Sequence, residues 1–258
     1  MARVHLFEFE DFQWFPAVIR NYMTDFLQFV SNRFDIYKAI VPRLSNVITQ
    51  TGSTQMIDLA SGGGGGLLRL SEHLKEAHPE LKIILTDYYP NIPAFEHTVA
   101  QSTVFTYHPE SVNAMNVPET LTGLRTQFLS LHHFREDDAV KILQNAVDSG
   151  SPIALFESQE CNVKSIVSMI FSPLSVIFTT PFIRPFKVGR ILFTYLIPIV
   201  PLFILWDGIV SALRTYSEKE MHALVARVNG HEKYTWEIGK QKSGPATIPY
   251  LIGYKKGE

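Results

Sequence analysis

Residues 56–66 read MIDLASGGGGG, and this stretch decides the fold of the chain. Residues 56–59 form a short apolar run between turn-forming residues, which is typical of a buried strand. The glycines that follow have no Cβ, so the backbone can turn sharply there and approach a ligand. Residues 67–77 then carry apolar side chains at helical spacing. A strand, a glycine turn and a helix in this order predict a nucleotide-type pocket at the carboxyl end of a parallel strand.

The spacing of the glycines distinguishes between ligands. Dinucleotide-binding turns use G-x-G-x-x-G, in which the third glycine packs the helix against the strand. Gly62 and Gly64 fit the first two places, but Leu67 occupies the third. No lysine follows the glycines, which excludes a phosphate-binding P-loop. The pattern that remains is D-x-A-x-G-x-G, which begins at Asp58 and includes Ala60.

Strands and helices alternate after the glycine turn. Further strands are predicted near residues 81–86, 103–107, 123–131 and 152–156, with helices near residues 91–101 and 135–149. This alternation indicates βαβ units, and therefore a parallel sheet with helices on both faces.

The end of the chain has a different pattern. A capping box at Ser217 and Glu220 begins a helix that runs to about residue 228. Two strands follow, at residues 234–240 and 248–254, and their short connection permits only an antiparallel hairpin. The predicted fold class is α/β, with a Rossmann-like, seven-stranded, mostly parallel sheet that ends in an antiparallel hairpin.

The glycine motif resembles the first motif of class I S-adenosylmethionine-dependent methyltransferases, usually E/D-x-G-x-G-x-G, with Ala60 in place of the first glycine. Three other stretches extend the resemblance over nearly the whole chain, to a bacterial group of small-molecule methyltransferases. They are EFEDFQWFPAVIR at residues 8–20, LHHF at 131–134 and WDGIVSALRTYS at 206–217. The resemblance implies S-adenosylmethionine as cofactor and a small molecule as methyl acceptor. The rival functions are a non-catalytic lipid- or partner-binding module and a nicotinamide-dependent oxidoreductase.

The resemblance also implies roles for polar residues at strand ends. Asp58 would hold the ammonium group of the cofactor, and Asp87 would accept hydrogen bonds from both ribose hydroxyls. A turn or helix-capping aspartate is the alternative for Asp87. Asn113 would accept a hydrogen bond from the adenine amino group, or it forms an Asx-turn. The remaining residues expected to contact the cofactor are Ala60, Ser61, Gly62, Gly64, Tyr88 and Ala114.

His132 and His133 are the candidate general bases, because histidine accepts protons near neutral pH and a hydroxyl acceptor has to lose one. The alternative is that both histidines shape the pocket. Four residues are candidate substrate contacts: Trp14, Arg20, Glu157 and Asp207. The polar residues of the stretches at 8–20 and 206–217 are interpreted as a salt-bridged lid in preference to substrate contacts, because charged residues beside apolar segments are commonly paired.

Composition limits the remaining choices. A net charge of −2 without a dense basic run argues against a nucleic-acid partner. A single cysteine, Cys161, excludes an internal disulfide and a cysteine-rich metal site, and no metal is expected. The amino terminus lacks the apolar core of a signal peptide, so a cytoplasmic location is expected. We divide the chain into a helical cap at residues 1–50 and a methyltransferase domain at residues 51–258.

The domain contains an apolar insertion at about residues 164–206. Two runs within it, 165–183 and 191–206, have no charged residue, and each run is interrupted by two prolines. We favour short helices that form a lid over the pocket and offer one face to a lipophilic substrate. Peripheral contact with a membrane surface through Arg184, Lys187 and Arg190 is the second interpretation, and a spanning segment is the third. Oligomeric state is left open.

Overall fold

A computed structural model describes residues 1–64, 66–244 and 246–257. Gly65 of the glycine run and Pro245 of the predicted hairpin connection lie outside the described residues.

Seven strands form one sheet. They are β1 Gln55–Asp58, β2 Lys82–Leu85, β3 Phe105–Tyr107, β4 Leu124–Phe128, β5 Ile153–Phe156, β6 Tyr234–Ser243 and β7 Ala246–Lys255. Their order across the sheet is β3-β2-β1-β4-β5-β7-β6. The first five strands pair in parallel, and β7 runs antiparallel to both β5 and β6. The predicted α/β fold with a mostly parallel sheet and a C-terminal hairpin is therefore confirmed.

Ten α-helices are described, together with short 3-10 turns and a π-helical turn. They are α1 Ala17–Arg33, α2 Val41–Thr51, α3 Leu68–Ala77, α4 Ile92–Gln101, α5 Glu136–Asp148, α6 Val163–Ile170, α7 Ser172–Thr179, α8 Val188–Ile191, α9 Ile199–Arg214 and α10 Glu218–Val225. The capping box at Ser217 and Glu220 is present at the start of α10.

Helices cover both faces of the sheet, because successive side chains of a strand point to opposite sides. Met56 of β1 packs in the apolar cluster that α2, α3 and α4 share, whereas Ile57 packs with α5 and α10. All three last residues of β1 are buried. This double burial places the carboxyl end of β1, with the glycine turn, at the edge of a rigid core.

The insertion forms α6 to α9 and packs against α1. Met23 and Phe26 of α1 share a buried apolar cluster with Val176 of α7 and Ile204 of α9. Among the described residues, no helix is by itself long and apolar enough to cross a membrane. Two helix pairs reach that length and composition together, Val163–Ile170 with Ser172–Phe182 and Val188–Leu196 with Ile199–Arg214, but they are bent by 41° and 78°.

The predicted end of β4 is wrong. Strand β4 ends at Phe128, whereas the sequence predicts a strand to residue 131. Leu129 has a φ of +56°, which ends the extended conformation. A 3-10 turn, Leu131–His133, follows, so the two histidines lie beyond the sheet and not at a strand end.

Candidate active site

The glycine turn follows β1 and has a conformation that requires glycine. Gly62 and Gly64 have φ angles of +55° and +74°, in the left-handed region that side chains with a Cβ rarely adopt. A Cβ on Gly64 would lie 2.7 Å from Cδ1 of Phe95 and 2.9 Å from Cδ1 of Leu85. The turn is therefore shaped by backbone freedom at Gly62 and by close packing at Gly64.

Asp58, at the end of β1, holds the start of this turn. Its carboxylate accepts a hydrogen bond from the Ser61 hydroxyl at 2.7 Å and another from the Thr126 hydroxyl at 3.0 Å. Burial raises the pKa of Asp58 to about 7, although both hydroxyls act to lower it. The carboxyl group is thus desolvated, which favours a cationic partner at the cavity.

Asp87 connects β2 to the glycine turn. One carboxylate oxygen accepts the backbone N–H of Gly62 and the other accepts that of Tyr89, each at 2.8 Å. Burial raises the pKa of Asp87, and the two backbone hydrogen bonds oppose the shift. The turn interpretation and the ligand interpretation are compatible here, because a carboxylate oxygen can accept more than one hydrogen bond.

Ala60 occupies the position at which the resembled motif has glycine, and its φ is +60°. An alanine in this region costs about 1–3 kcal/mol, and the greater flexibility of unfolded glycine offsets part of that cost. Ala60→Gly is therefore expected to raise the free energy of unfolding by about 1 kcal/mol, measured by urea denaturation. Gly52 is the reverse control, because its φ is also +60° and no atom lies within 4 Å of an added Cβ. If Gly52→Ala lowers the free energy of unfolding and Ala60→Gly does not raise it, the backbone of residue 60 is not strained.

A cavity of about 610 Å³ lies at the carboxyl ends of β1, β2 and β4. This volume is within the range of about 300–1,000 Å³ that is usual for small-molecule sites. Every residue expected to contact the cofactor lines it: Asp58, Ala60, Ser61, Gly62, Gly64, Asp87, Tyr88, Asn113 and Ala114. Asn113 Oδ1 also accepts the backbone N–H of Met115 at 2.9 Å, which is the Asx-turn.

Helix α1 forms a wall of the cavity through residues that were not among the predicted site residues. Thr24, Gln28 and Ser31 line it, and a Cβ on Gly63 would lie 3.5 Å from Thr24. These polar residues recur at helical spacing, while Met23 and Phe26 face the insertion. The signal in the sequence was a polar stripe on a helix rich in aromatic residues, because such a stripe indicates that the two sides of the helix have different surroundings.

The segment before α1 also lies over the cavity. Glu10 and Asp11 of this segment line the cavity, as does Arg20 of α1. Arg20 donates hydrogen bonds to the carbonyls of Glu10 and Phe12, at 3.2 and 2.7 Å. Arg20 is therefore a cavity residue, as predicted for a substrate contact, and it also holds the segment in place.

Buried charged groups attach the segment before α1 to α9. The Arg214 guanidinium lies 3.2 Å from the Glu8 carboxylate and 2.8 Å from that of Asp11. Asp207 accepts the backbone N–H groups of Phe9 and Glu10, at 2.9 and 3.3 Å. Asp207 lies outside the cavity lining, so its position supports the salt-bridged lid and not the predicted substrate contact.

His133 lines the cavity but is unsuited to accept a proton at neutral pH. Its Nδ1 lies 2.8 Å from Asp11 and 3.4 Å from Glu8. Burial alone would lower the pKa of His133, but the carboxylates of Glu8, Asp11 and Glu10 raise it to about 10. The imidazole is therefore protonated, and the structure favours a pocket-shaping role over the predicted base.

His132 and Glu157 are buried outside the cavity lining. Nδ1 of His132 lies 2.8 Å from one Glu157 oxygen, and the His132 backbone N–H donates to the other at 3.0 Å. The predicted roles as base and substrate contact gain no support, because the two side chains bind each other. Trp14 is exposed and stacks on Phe12, and it also lies outside the lining.

Ligand atoms of Glu8, His132 and His133 lie within 4.8 Å of one another, close enough to surround a divalent cation. However, Glu8 is already paired with Arg214, and His133 with Asp11. A guanidinium beside a carboxylate opposes a second cation there. We therefore interpret this cluster as the attachment of the amino-terminal segment to the fold.

No protein-family model matches the chain, and neither does any curated protein. Solved structures do match. A protein of Nostoc punctiforme PCC 73102, described as a candidate O-methyltransferase, is 13% identical with a TM-score of 0.50; the match covers 89% of this chain and 60% of that one. The plantazolicin methyltransferase BpumL, solved in complex with SAH, is 11% identical with a TM-score of 0.51, and the match covers 93% and 96%. The chain thus spans about three fifths of the Nostoc protein, and the fold is that of these methyltransferases.

Proposed function

We propose that the protein is an S-adenosylmethionine-dependent methyltransferase that acts on a small, lipophilic molecule. One observation carries the proposal: Asp58, Asp87 and Asn113, which follow three different strands, line a single cavity with the glycine turn. In open α/β sheets, ligands bind in the crevice at the carboxyl ends of the strands. The absent third glycine of the dinucleotide motif favours a sulfonium nucleoside over a dinucleotide.

The residues present fit this cofactor. The desolvated carboxylate of Asp58 suits its ammonium group, Asp87 suits the ribose hydroxyls, and Asn113 suits the adenine amino group. When bound, the cofactor supplies an electrophilic methyl group. The protein then has mainly to hold the acceptor close to the methyl group and in line with it.

The cavity lining also suits a lipophilic acceptor that ionises. Its apolar and aromatic members include Leu27, Tyr37, Tyr88, Tyr89, Met115, Phe128 and Phe134. Glu10 is the lining group that we propose as proton acceptor for a hydroxyl substrate. Burial raises its pKa to about 7, and the neighbouring His133 opposes the shift. A pKa near the working pH suits general base catalysis.

The test is incubation of the protein with methyl-labelled S-adenosylmethionine and a metabolite extract, followed by chromatography. We expect label in a small, organic-soluble product, and at least about tenfold less of it with Asp87→Ala at limiting cofactor. Binding of S-adenosylhomocysteine without transfer to any acceptor would favour a non-catalytic binding module. Binding of NAD, with S-adenosylhomocysteine ignored, would favour a nicotinamide-dependent oxidoreductase.

The pH dependence of cofactor binding follows from Asp58. Its pKa of about 7 means that the carboxylate form, which an ammonium group requires, becomes scarcer as the pH falls. We expect S-adenosylhomocysteine to bind roughly eightfold more weakly at about pH 6 than at about pH 7.5, by calorimetry. Asp58→Asn should remove this dependence. Glu10→Gln is the matched control, because Glu10 titrates in the same range and the dependence should survive its loss.

A further inference from the structure

The outer face of the insertion is apolar and exposed to solvent. By outer face we mean the exposed apolar side chains of residues 163–206. This segment is about a sixth of the chain, yet it holds 15 of the 24 exposed large apolar side chains among the described residues. Phe178, Phe182 and Leu196 are 71%, 66% and 76% exposed. Extensive exposed apolar surface marks a site of interaction with a protein or a membrane.

The opposite side of the same helices is firmly attached to the fold. Val176 is fully buried against the aromatic and aliphatic residues of α1. Asp25 of α1 is buried and binds Arg190 at 2.5 Å and Lys187 at 2.8 Å. A partly buried ion pair and an apolar cluster hold the insertion in one orientation, so the outer face is a defined surface of the folded protein.

The charge of the insertion indicates which kind of partner the outer face fits. Residues 163–206 contain four basic residues and no acidic one, whereas the rest of the chain has 19 basic and 25 acidic residues. Asp25 of α1 offsets one of these four charges, because it pairs with both Lys187 and the buried Arg190, so a net positive charge remains. Arg184 is exposed between Phe182 and Phe186, and its guanidinium donates to the carbonyl of Pro181 at 2.8 Å. Basic side chains beside exposed apolar ones are typical of helices that lie at an anionic bilayer surface.

We propose that the outer face docks on the surface of a bilayer that contains anionic phospholipid. The helices of the insertion would lie in the interface, because α6, α7 and α8 are short and both longer combinations are sharply bent. Tyr195 and Trp206 are partly exposed at this face, and such aromatic residues prefer the level of the headgroups. The protein would bind from one side of the membrane, without crossing it.

Docking would place the candidate active site close to the bilayer. One side of α1 packs on the insertion through Met23, and the other lines the cavity through Thr24 and Gln28. The insertion contributes no residue to the described cavity lining, so it acts behind α1 and not as the predicted lid itself. A lipophilic acceptor dissolved in the membrane would then be near the cavity, a consequence that rests on the proposed function. The proposal that the outer face docks on a bilayer does not rest on the proposed function.

The experiment is co-sedimentation of the full chain with vesicles of phosphatidylcholine alone and of an equimolar mixture of phosphatidylcholine and phosphatidylglycerol. We expect binding to the mixed vesicles that weakens in high salt. The double variant Phe178→Ser with Phe182→Ser should partition at least about tenfold more weakly. Phe34→Ser is the matched control, because Phe34 is 65% exposed but lies outside the insertion, and its binding should not change.

Three results would overturn the proposal. One is the absence of binding to the mixed vesicles. Another is equal binding to neutral and anionic vesicles, since the charge of the insertion would then play no part. The third is a dimer in vesicle-free buffer that the double variant converts to a monomer, because a second copy of the chain would then cover the outer face. Retained S-adenosylhomocysteine binding by the double variant would show that its fold and cofactor site are intact.

Discussion

Arg214→Met is expected to lower the free energy of unfolding by about 3 kcal/mol, the lower end of the usual cost of removing one member of a buried ion pair, because His133 still lies 3.4 Å from Glu8. Both Arg214 and Glu8 are almost fully buried, and the two groups lie 3.2 Å apart. The guanidinium also donates to the carbonyl of Leu6 at 2.6 Å. Without it, the buried Glu8 loses its nearest cationic partner, and the amino-terminal segment loses its ion pairs with α9 while it keeps the hydrogen bonds to Asp207.

Urea denaturation measures this loss, and limited proteolysis of the amino-terminal segment locates it. Arg227→Met is the matched control, because Arg227 is exposed and pairs only with surface carboxylates; it should cost less than about 1 kcal/mol. Glu8→Gln combined with Arg214→Met should recover much of the stability, since the uncompensated charge is then removed. An Arg214→Met protein that unfolds like the wild type would contradict this account of the attachment.

Asp87→Ala should weaken the binding of S-adenosylhomocysteine by about 1.5–3 kcal/mol, or roughly 10- to 150-fold. The side chain has one proposed and one observed role: it is the proposed acceptor for the ribose hydroxyls, and it accepts the N–H groups of Gly62 and Tyr89. Its loss removes the proposed ribose contact and also releases the glycine turn. Isothermal calorimetry gives the affinity directly.

Asp148→Ala is the control for this variant, because Asp148 is exposed at the end of α5 and binds only Gln144 among the described contacts of its side chain. Its affinity for the ligand should be unchanged. The unfolding free energy of Asp87→Ala should also be measured, so that a general loss of folding is distinguished from a loss of binding. Unchanged affinity in a folded Asp87→Ala protein would remove Asp87 from the site.

Much of the nucleotide-type half of the site was predictable, for a local reason. A buried strand, a glycine turn and an amphipathic helix are all patterns of neighbouring residues. Parallel strands bring their carboxyl ends to the same edge of a sheet, so Asp58, Asp87 and Asn113 were expected to lie close together once the alternation of strands and helices indicated a parallel sheet. The same logic predicted the hairpin, since β6 and β7 have too short a connection for any other pairing.

The catalytic roles were harder to predict, because a side chain's charge depends on distant neighbours. A histidine near the cavity suggests a base at neutral pH. In the folded protein, Asp11 comes from more than a hundred residues away and binds His133. The imidazole is therefore held in its protonated form, and Glu10, whose sequence context suggested nothing, is the proton acceptor that we propose instead.

The sequence by itself determined the mostly parallel sheet, its antiparallel terminal hairpin and the residues around the glycine turn, because these follow from local periodicity, backbone conformation and chain connectivity. Only the tertiary structure decided how the amino-terminal segment covers the cavity, which side of the insertion is buried and which groups keep their protons. Those features depend on ion pairs such as Arg214 with Glu8 and on packing between α1 and α9. Contacts between residues so far apart in the chain leave no periodic pattern in the sequence.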